Sequence, residues 1–205
     1  MYKRQGYNNI DLKPAIFPNI GIEIDKKTKV LQIVTSFLIN NGIYETKTYN
    51  LVNKDYLEKF NFFKVKKSLK VLQPQSKNHT FLRNNLVASL LDVVRYNNLR
   101  KLDSIRIYGY EDIYDGFRIN HQELSIVLQG DLLSIPYKNQ FINIDFLNIK
   151  GLLQSIFKKL NFSLQDIKYI KSNHNNLHSK IQSNVFINGK HVATLGQLNI
   201  KQQKL

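Results

Sequence analysis

Cysteine and tryptophan are absent from the 205 residues, methionine occurs once and proline four times. The missing cysteine removes disulfides, thiolate metal sites and thiol nucleophiles together. No apolar run approaches the roughly 20 residues that a membrane-spanning helix needs, so no membrane partner is expected. The first residues, Met1-Tyr2-Lys3-Arg4-Gln5-Gly6-Tyr7, are basic with no apolar stretch behind them, which is not the pattern of a secretory signal. A cytoplasmic location is the resulting expectation. Gly109, Gly116 and Gly130 stand alone, so there is no glycine-rich phosphate loop. Acidic residues are scarce as well: 15 Asp and Glu face 30 Lys and Arg, for a formal net charge of +15.

A basic surface attracts polyanions, above all nucleic acid. Only six of the cations are Arg, however, and Lys, Asn and Ile are all abundant, a bias that an AT-rich genome imposes on any product. The charge is scattered. Lys64, Lys66, Lys67 and Lys70 make the one cluster, and they are the candidates for contact with RNA phosphates. The remaining chemistry is sparse. His174 and His178 have the spacing of two zinc ligands on a helix, but their segment is Asn-rich and holds no acidic residue between them, so they read as polar loop residues. His79, His121 and His191 each lack a nearby nucleophile pattern and read as ordinary surface or core histidines. Asp25, Asp112, Asp115 and Asp131 are too dispersed to form a carboxylate pair by spacing. No catalytic, cofactor-binding or metal-binding residue is assigned.

Periodicity organises the chain into helices and strands. Pro14, Pro18 and Gly21 make the first part irregular. Val30, Ile33, Val34, Phe37 and Leu38 recur at helical spacing after Asp25, a cap, and Asn41-Gly42 supplies the stop. Ile43 to Asn50 alternates as a strand. A short helix is expected near Lys54 to Phe60, a strand at Ser68 to Leu72, and a strong helix over Leu86 to Leu99 with Leu86, Leu90, Leu91, Val93 and Val94 inward. Strands follow at Ser104 to Tyr114 and His121 to Gln129, the latter with Leu124, Ile126 and Leu128 on one face. Ile149, Leu152, Leu153, Ile156, Phe157 and Leu160 make the clearest helical stripe, with Asp145 near its start. Asn184 to Ile187 and His191 to Leu195 flank Asn188-Gly189, a hairpin signal. Strand pairs separated by helices indicate an α+β fold with an antiparallel sheet.

With that order in place, four stretches resemble the beta subunits of bacterial phenylalanine–tRNA ligases. They are Gly6-Tyr7-Asn8-Asn9-Ile10; Asn40-Asn41-Gly42-Ile43-Tyr44-Glu45-Thr46-Lys47-Thr48-Tyr49; Leu82-Arg83 through Leu86, Leu90-Leu91-Asp92-Val93-Val94 and Tyr96-Asn97; and Asp145-Phe146-Leu147-Asn148-Ile149-Lys150-Gly151. The chain departs from the family at Leu177-His178-Ser179-Lys180, where many members have Leu-His-Pro-Gly, and at Ile107-Tyr108-Gly109-Tyr110, where a Glu is missing. The resemblance implies an antiparallel class II aminoacyl-tRNA synthetase-like sheet flanked by helices. It divides the chain into residues 1–24, the end of a preceding domain and a linker, and 25–205, a synthetase-like but inactive domain that family members continue by a helix and a further strand.

Class II catalysis uses an Arg-x-Glu and a later Arg to grip ATP and carboxylate. Arg118 here has no such Glu. The family enzyme uses ATP and magnesium, whose beta-subunit ligands precede the Gly-Tyr signature and lie outside this chain. The implied role is a scaffold for a catalytic alpha subunit in an alpha2beta2 assembly that acts on tRNA. The helix from Asp25 to Asn41 would carry the subunit contact through Leu31 and Ile39. Two other readings compete: a free-standing basic RNA-binding module, which an Arg-poor chain supports less well, and an intact small ligase, which the missing ATP motifs oppose.

Overall fold

The computed structural model describes residues 23–59, 68–115, 119–138 and 140–199. Lys64, Lys66, Lys67, Arg118 and the whole 1–22 segment lie outside them. In chain order the elements are α1 (Lys26–Asn40), β1 (Tyr44–Glu45), β2 (Leu51–Val52), α2 (Lys54–Lys59), β3 (Phe81–Leu82), α3 (Val87–Asn98), β4 (Ile105–Asp115), β5 (Ile119–Gln129), β6 (Asp131–Ile135), β7 (Gln140–Asn143), α4 (Phe146–Lys159), β8 (Ile167–Lys171), β9 (Leu177–Ile187) and β10 (Lys190–Leu198).

The β4–β5 hairpin is the centre. Its eleven residues a side pair antiparallel from Ile105↔Gln129 to Asp115↔Ile119, so alternate residues present two opposite faces. Ile105, Ile107 and Val127 lie on one face and receive Leu90 and Val94 of α3 with Leu86 just before it. Tyr108, Leu124, Ile126 and Leu128 lie on the other, against Val34 and Leu38 of α1 and Leu152, Ile156 and Leu160 of α4. Gly109 shows how close α3 comes: a Cβ there would stand 3.0 Å from a Leu86 methyl and 3.4 Å from one of Leu90. The opposite stripe of α4, with Phe146, Ile149, Leu153 and Phe157, packs on Ile167, Val185, Ile187 and Leu195 of a second sheet, ordered β10–β9–β8. One amphipathic helix thus serves two sheets.

Local chemistry explains the helix ends. Asp145 accepts from the Asn148 amide at 2.8 Å while Asn148 Oδ1 accepts from the Asp145 amide at 2.7 Å, a reciprocal cap that starts α4. Asp25 occupies the cap position of α1 without a side-chain hydrogen bond. Asn188 and Gly189 both have positive φ, the two-residue turn that joins β9 to β10.

Three expectations need correction. Ile43 to Asn50 is not one strand: only Tyr44–Glu45 pairs, parallel to β4, after which the Thr46 amide donates to Tyr108 O and the chain leaves the ladder. Lys47 and Thr48 go to side-chain partners instead of a neighbouring strand. Antiparallel pairing therefore dominates but is not universal. Ser68 to Leu72 is reduced to a bridge from Lys70 to Phe81, because β3 is itself two residues long and offers nothing to extend along. The β6–β7 hairpin and β8 were not anticipated; their strands are only four or five residues long.

Replacing Asp145 with Ala removes one half of the α4 cap. Urea denaturation should show a loss of about 1 kcal/mol; an unchanged midpoint would mean that packing on the two sheets alone fixes where the helix begins.

Candidate functional site

Among the described residues, Arg83 is the largest side chain to be almost wholly buried, at 1% exposure. Its guanidinium donates from Nε to Asp112 O at 3.0 Å, from Nη1 to Thr48 Oγ1 at 3.1 Å and from Nη2 to Glu111 Oε2 at 3.2 Å. Its own amide donates to Asn50 O and its carbonyl accepts from the Tyr114 amide. Lys47 completes the group, 2.9 Å from Glu45 Oε1 and 3.6 Å from Glu111 Oε1. The hydrogen bond that its ammonium donates to Glu45 holds the Lys47 pKa above its ordinary value, against a smaller effect of burial. Burial raises the Tyr108 phenol, whose hydroxyl points at Glu45 Oε2 from 3.5 Å. These charges neutralise one another across β1, β3 and β4. Such a network locks a junction; it offers no unpaired nucleophile or base.

Next along the chain, Asn84 Nδ2 donates to Leu57 O, and Asn85 Oδ1 accepts from the Ala88 amide at the start of α3. Glu123 of β5 meets the same helix end. Its Oε1 accepts from the Leu86 amide at 3.2 Å and from Ser125 Oγ at 2.6 Å, while Oε2 is buried without a partner. Burial pushes this carboxyl above the usual range, and the Ser125 and Leu86 hydrogen bonds only partly oppose it.

Two cavities flank this core. One, of about 620 Å³, lies between α3 and the Lys47–Asn53 stretch, with Ser89, Tyr96, Tyr49 and His79 on its walls. The other, of about 580 Å³, lies between β5, β10 and α4. On α1, Val30 and Ile33 are exposed beside the buried Val34–Leu38 face. Leu31 is half-buried, and Ile39 is 57% exposed. Lys70 is exposed next to β3.

His174 and His178 do not share a helix, whereas His121 and His191 line the same cavity between β5 and β10. His178 lies on β9, its Nδ1 accepting from the Lys180 amide, and His174 precedes the strand, held through its backbone by Gln182. His79 Nδ1 is 2.9 Å from Ser76 Oγ. No group of three or more potential metal ligands forms among the described residues. Sequence reasoning missed the Arg83 and Glu123 pairings. Adjacent polar residues Arg83-Asn84-Asn85 before an apolar helix were the visible signal, since such a run is buried only if each group finds a partner.

Comparison with known proteins matches residues 14–204 to the phenylalanyl tRNA synthetase beta chain CLM domain. Phenylalanine–tRNA ligase beta subunits are similar over most of the chain: that of Ureaplasma parvum is 31% identical over 91% of this chain and 23% of its own length, and that of Malacoplasma penetrans 28% over 96% and 25%. The Bacillus subtilis subunit is 28% identical over 83% of the chain and 22% of its own length. The chain therefore spans about a quarter of the length of the curated relatives it matches. Among solved structures, the pyrrolysyl tRNA synthetase PylSc of Desulfitobacterium hafniense superposes with a TM-score of 0.59 at 12% identity, covering 82% of this chain and 55% of that one. The expected synthetase-like α+β fold is the one found.

Glu123→Gln gives the pH test of the buried carboxyl. The unfolded chain ionises Glu near its ordinary value, whereas the folded chain holds the proton to higher pH. The wild type thus loses stability as pH rises between those two values, and Gln does not. The melting temperature of E123Q should exceed that of the wild type at pH 7 and match it more closely at pH 4; a gap that is constant with pH would place the carboxyl in water.

Proposed function

The chain belongs to the phenylalanyl tRNA synthetase beta chain CLM domain family, and from that membership we propose that it serves as the non-catalytic core of a beta subunit. With an alpha subunit, such a subunit joins phenylalanine to its tRNA using ATP in the cytoplasm. The observation that carries the non-catalytic reading is the filling of both faces of the β4–β5 hairpin. α3 lies on one and α1 with α4 on the other along Ile105–Tyr108 and Leu124–Leu128, apolar packing that leaves less of the sheet face for ATP and an amino acid. Beside that sheet the buried Arg83 guanidinium is already paired with Glu111. ATP and magnesium are assigned to the assembled enzyme and to no residue of this chain.

The partner surface is α1. Val30 and Ile33 expose an apolar strip beside the face that holds the core, and Ile39 exposes more; Leu31 adds the outer edge of a half-buried side chain. Apolar groups left outside on a helix that already packs through its other face are best covered by another protein. Ile33→Lys with Ile39→Lys should abolish co-purification with the alpha subunit while the circular dichroism spectrum stays unchanged. In the same preparations, the isolated chain should show no phenylalanine-dependent exchange of pyrophosphate into ATP. Retained co-purification moves the interface elsewhere, and exchange above background overturns the non-catalytic reading.

We assign tRNA contact to Lys64, Lys66, Lys67 and Lys70, as an electrostatic and sequence-independent term. Affinity should fall steeply between about 50 and 200 mM salt, and changing all four to Ala should reduce the log–log slope by about 0.9 for each phosphate that these lysines neutralise. Tight binding that discriminates phenylalanine tRNA and survives high salt would favour a dedicated RNA-binding module.

A further inference from the structure

The 620 Å³ cavity beside α3 has the size of a small-ligand site and carries aromatic rings on both of its sides. Tyr96 belongs to α3 and Tyr49 to the facing stretch, and they remain 57% and 80% exposed. Both rings are held. The Arg100 guanidinium lies 3.3 Å from the centre of the Tyr96 ring, covering one of its faces, and donates to Tyr96 O at 2.9 Å. Tyr49 stands edge-on to His79 with ring centres 5.5 Å apart, and His79 Nδ1 is in turn 2.9 Å from Ser76 Oγ. Ser89, on the α3 wall and 8% exposed, has a buried Oγ with no partner among the described residues. A wholly apolar occupant would leave that hydroxyl unmet, whereas a flat ring with polar edges suits the hydroxyl and the tyrosines together.

The surroundings are those of a polyanion site. Arg95 lines the cavity and Arg100 adjoins it through Tyr96, so two of the chain's six arginines gather here. Lys70, one of the cations assigned to RNA phosphates, bridges to Phe81; Phe81 pairs with Val52, and Val52 lines the cavity. Two ladder steps of about 4.8 Å put the backbone of the exposed Lys70 about 10 Å from that wall. Asp92, on the wall itself, repels a phosphate from the interior. We propose that the cavity takes one unpaired nucleobase of a single RNA strand, stacked against Tyr96 and Tyr49 with its polar edge toward Ser89, while the phosphates run outside from Arg95 toward Lys70. The proposal rests on the tRNA contact assigned to the lysine cluster and adds a contribution of different origin: stacking, which salt weakens little, beside charge. A protein partner would also cover exposed tyrosines, but the two arginines and the net charge of +15 match a polyanion.

Fluorescence anisotropy on the full chain tests this with a labelled oligouridylate about twelve nucleotides long and the ribose–phosphate strand of the same length without bases. Oligouridylate should bind about tenfold more tightly, and that ratio should persist from about 50 to 200 mM salt. Tyr49→Ala and Tyr96→Ala should each lose most of the ratio with the salt slope unchanged; because both rings are exposed, the melting temperature should stay the same. Changing Lys64, Lys66, Lys67 and Lys70 to Ala should do the reverse, lowering the slope and keeping the ratio. A failure of the lysine assignment therefore leaves a different mark from a failure of the cavity. Uridine monophosphate, which has the base without neighbouring phosphates, should compete at least about a hundredfold more weakly than the strand; equal competition would replace the strand by a free nucleotide and overturn the proposal. It fails as well if the base-free strand binds as tightly as oligouridylate, or if both tyrosine variants bind RNA as the wild type does. Loss of the ratio on adding an alpha subunit would make the cavity a protein interface instead.

Discussion

The Arg83 guanidinium is the constraint around which the first half of the chain is arranged. Three positions distant from it in sequence, Thr48, Glu111 and Asp112, each give it an acceptor. A charge buried this deeply persists only where its donors are met, because removing one partner of a buried pair costs about 3–5 kcal/mol. The position of Arg83 therefore fixes how the Lys47–Asn50 stretch runs past β4 and where α3 begins. From that start, the Leu86 amide reaches Glu123 on β5. The buried Arg83 thus ties the Lys47–Asn50 stretch to β4 directly ahead of the apolar contacts that Leu86, Leu90 and Val94 make with the central hairpin.

What the sequence revealed and what it hid divide along the range of the interactions. The 3.6-residue periodicity of α1, α3 and α4 is local, and all three helices stand where it placed them, as do the β4–β5 and β9–β10 pairs. The period-two face of Leu124, Ile126 and Leu128 packs on α1 and α4 as alternation requires. The errors arose where pairing rather than pattern decides. Ile43 to Asn50 alternates well, but its polar half is drawn off by Glu45, Glu111 and Arg83. Short strands such as β8 carry only Ile167 and Tyr169 as inward residues, too few to register as a period. The site was less legible than the fold. Leu31 and Ile39 were read from an ideal helix, and only the packing of α1 shows that they differ in exposure. Arg83 stood in a recognised motif, yet nothing in one sequence tells that its partners lie 28 to 35 residues away.

A sheet with both faces covered can act only through its edges, its ends and the outer sides of its covering helices. That limit bears on the function of this chain. α3 crosses one face of the β4–β5 hairpin closely enough that a Cβ at Gly109 would stand 3.0 Å from a Leu86 methyl, so admitting a substrate there would mean displacing Leu86 and Leu90 from the core. Each is fully buried, and exposing such a side chain costs about 1.5–3 kcal/mol. Binding a small molecule on that face would have to overcome this loss before any affinity appeared. The outer strip of α1 carries no such penalty, because Val30, Ile33 and Ile39 are already exposed. Another protein's surface is the partner that such an exposed apolar strip recognises.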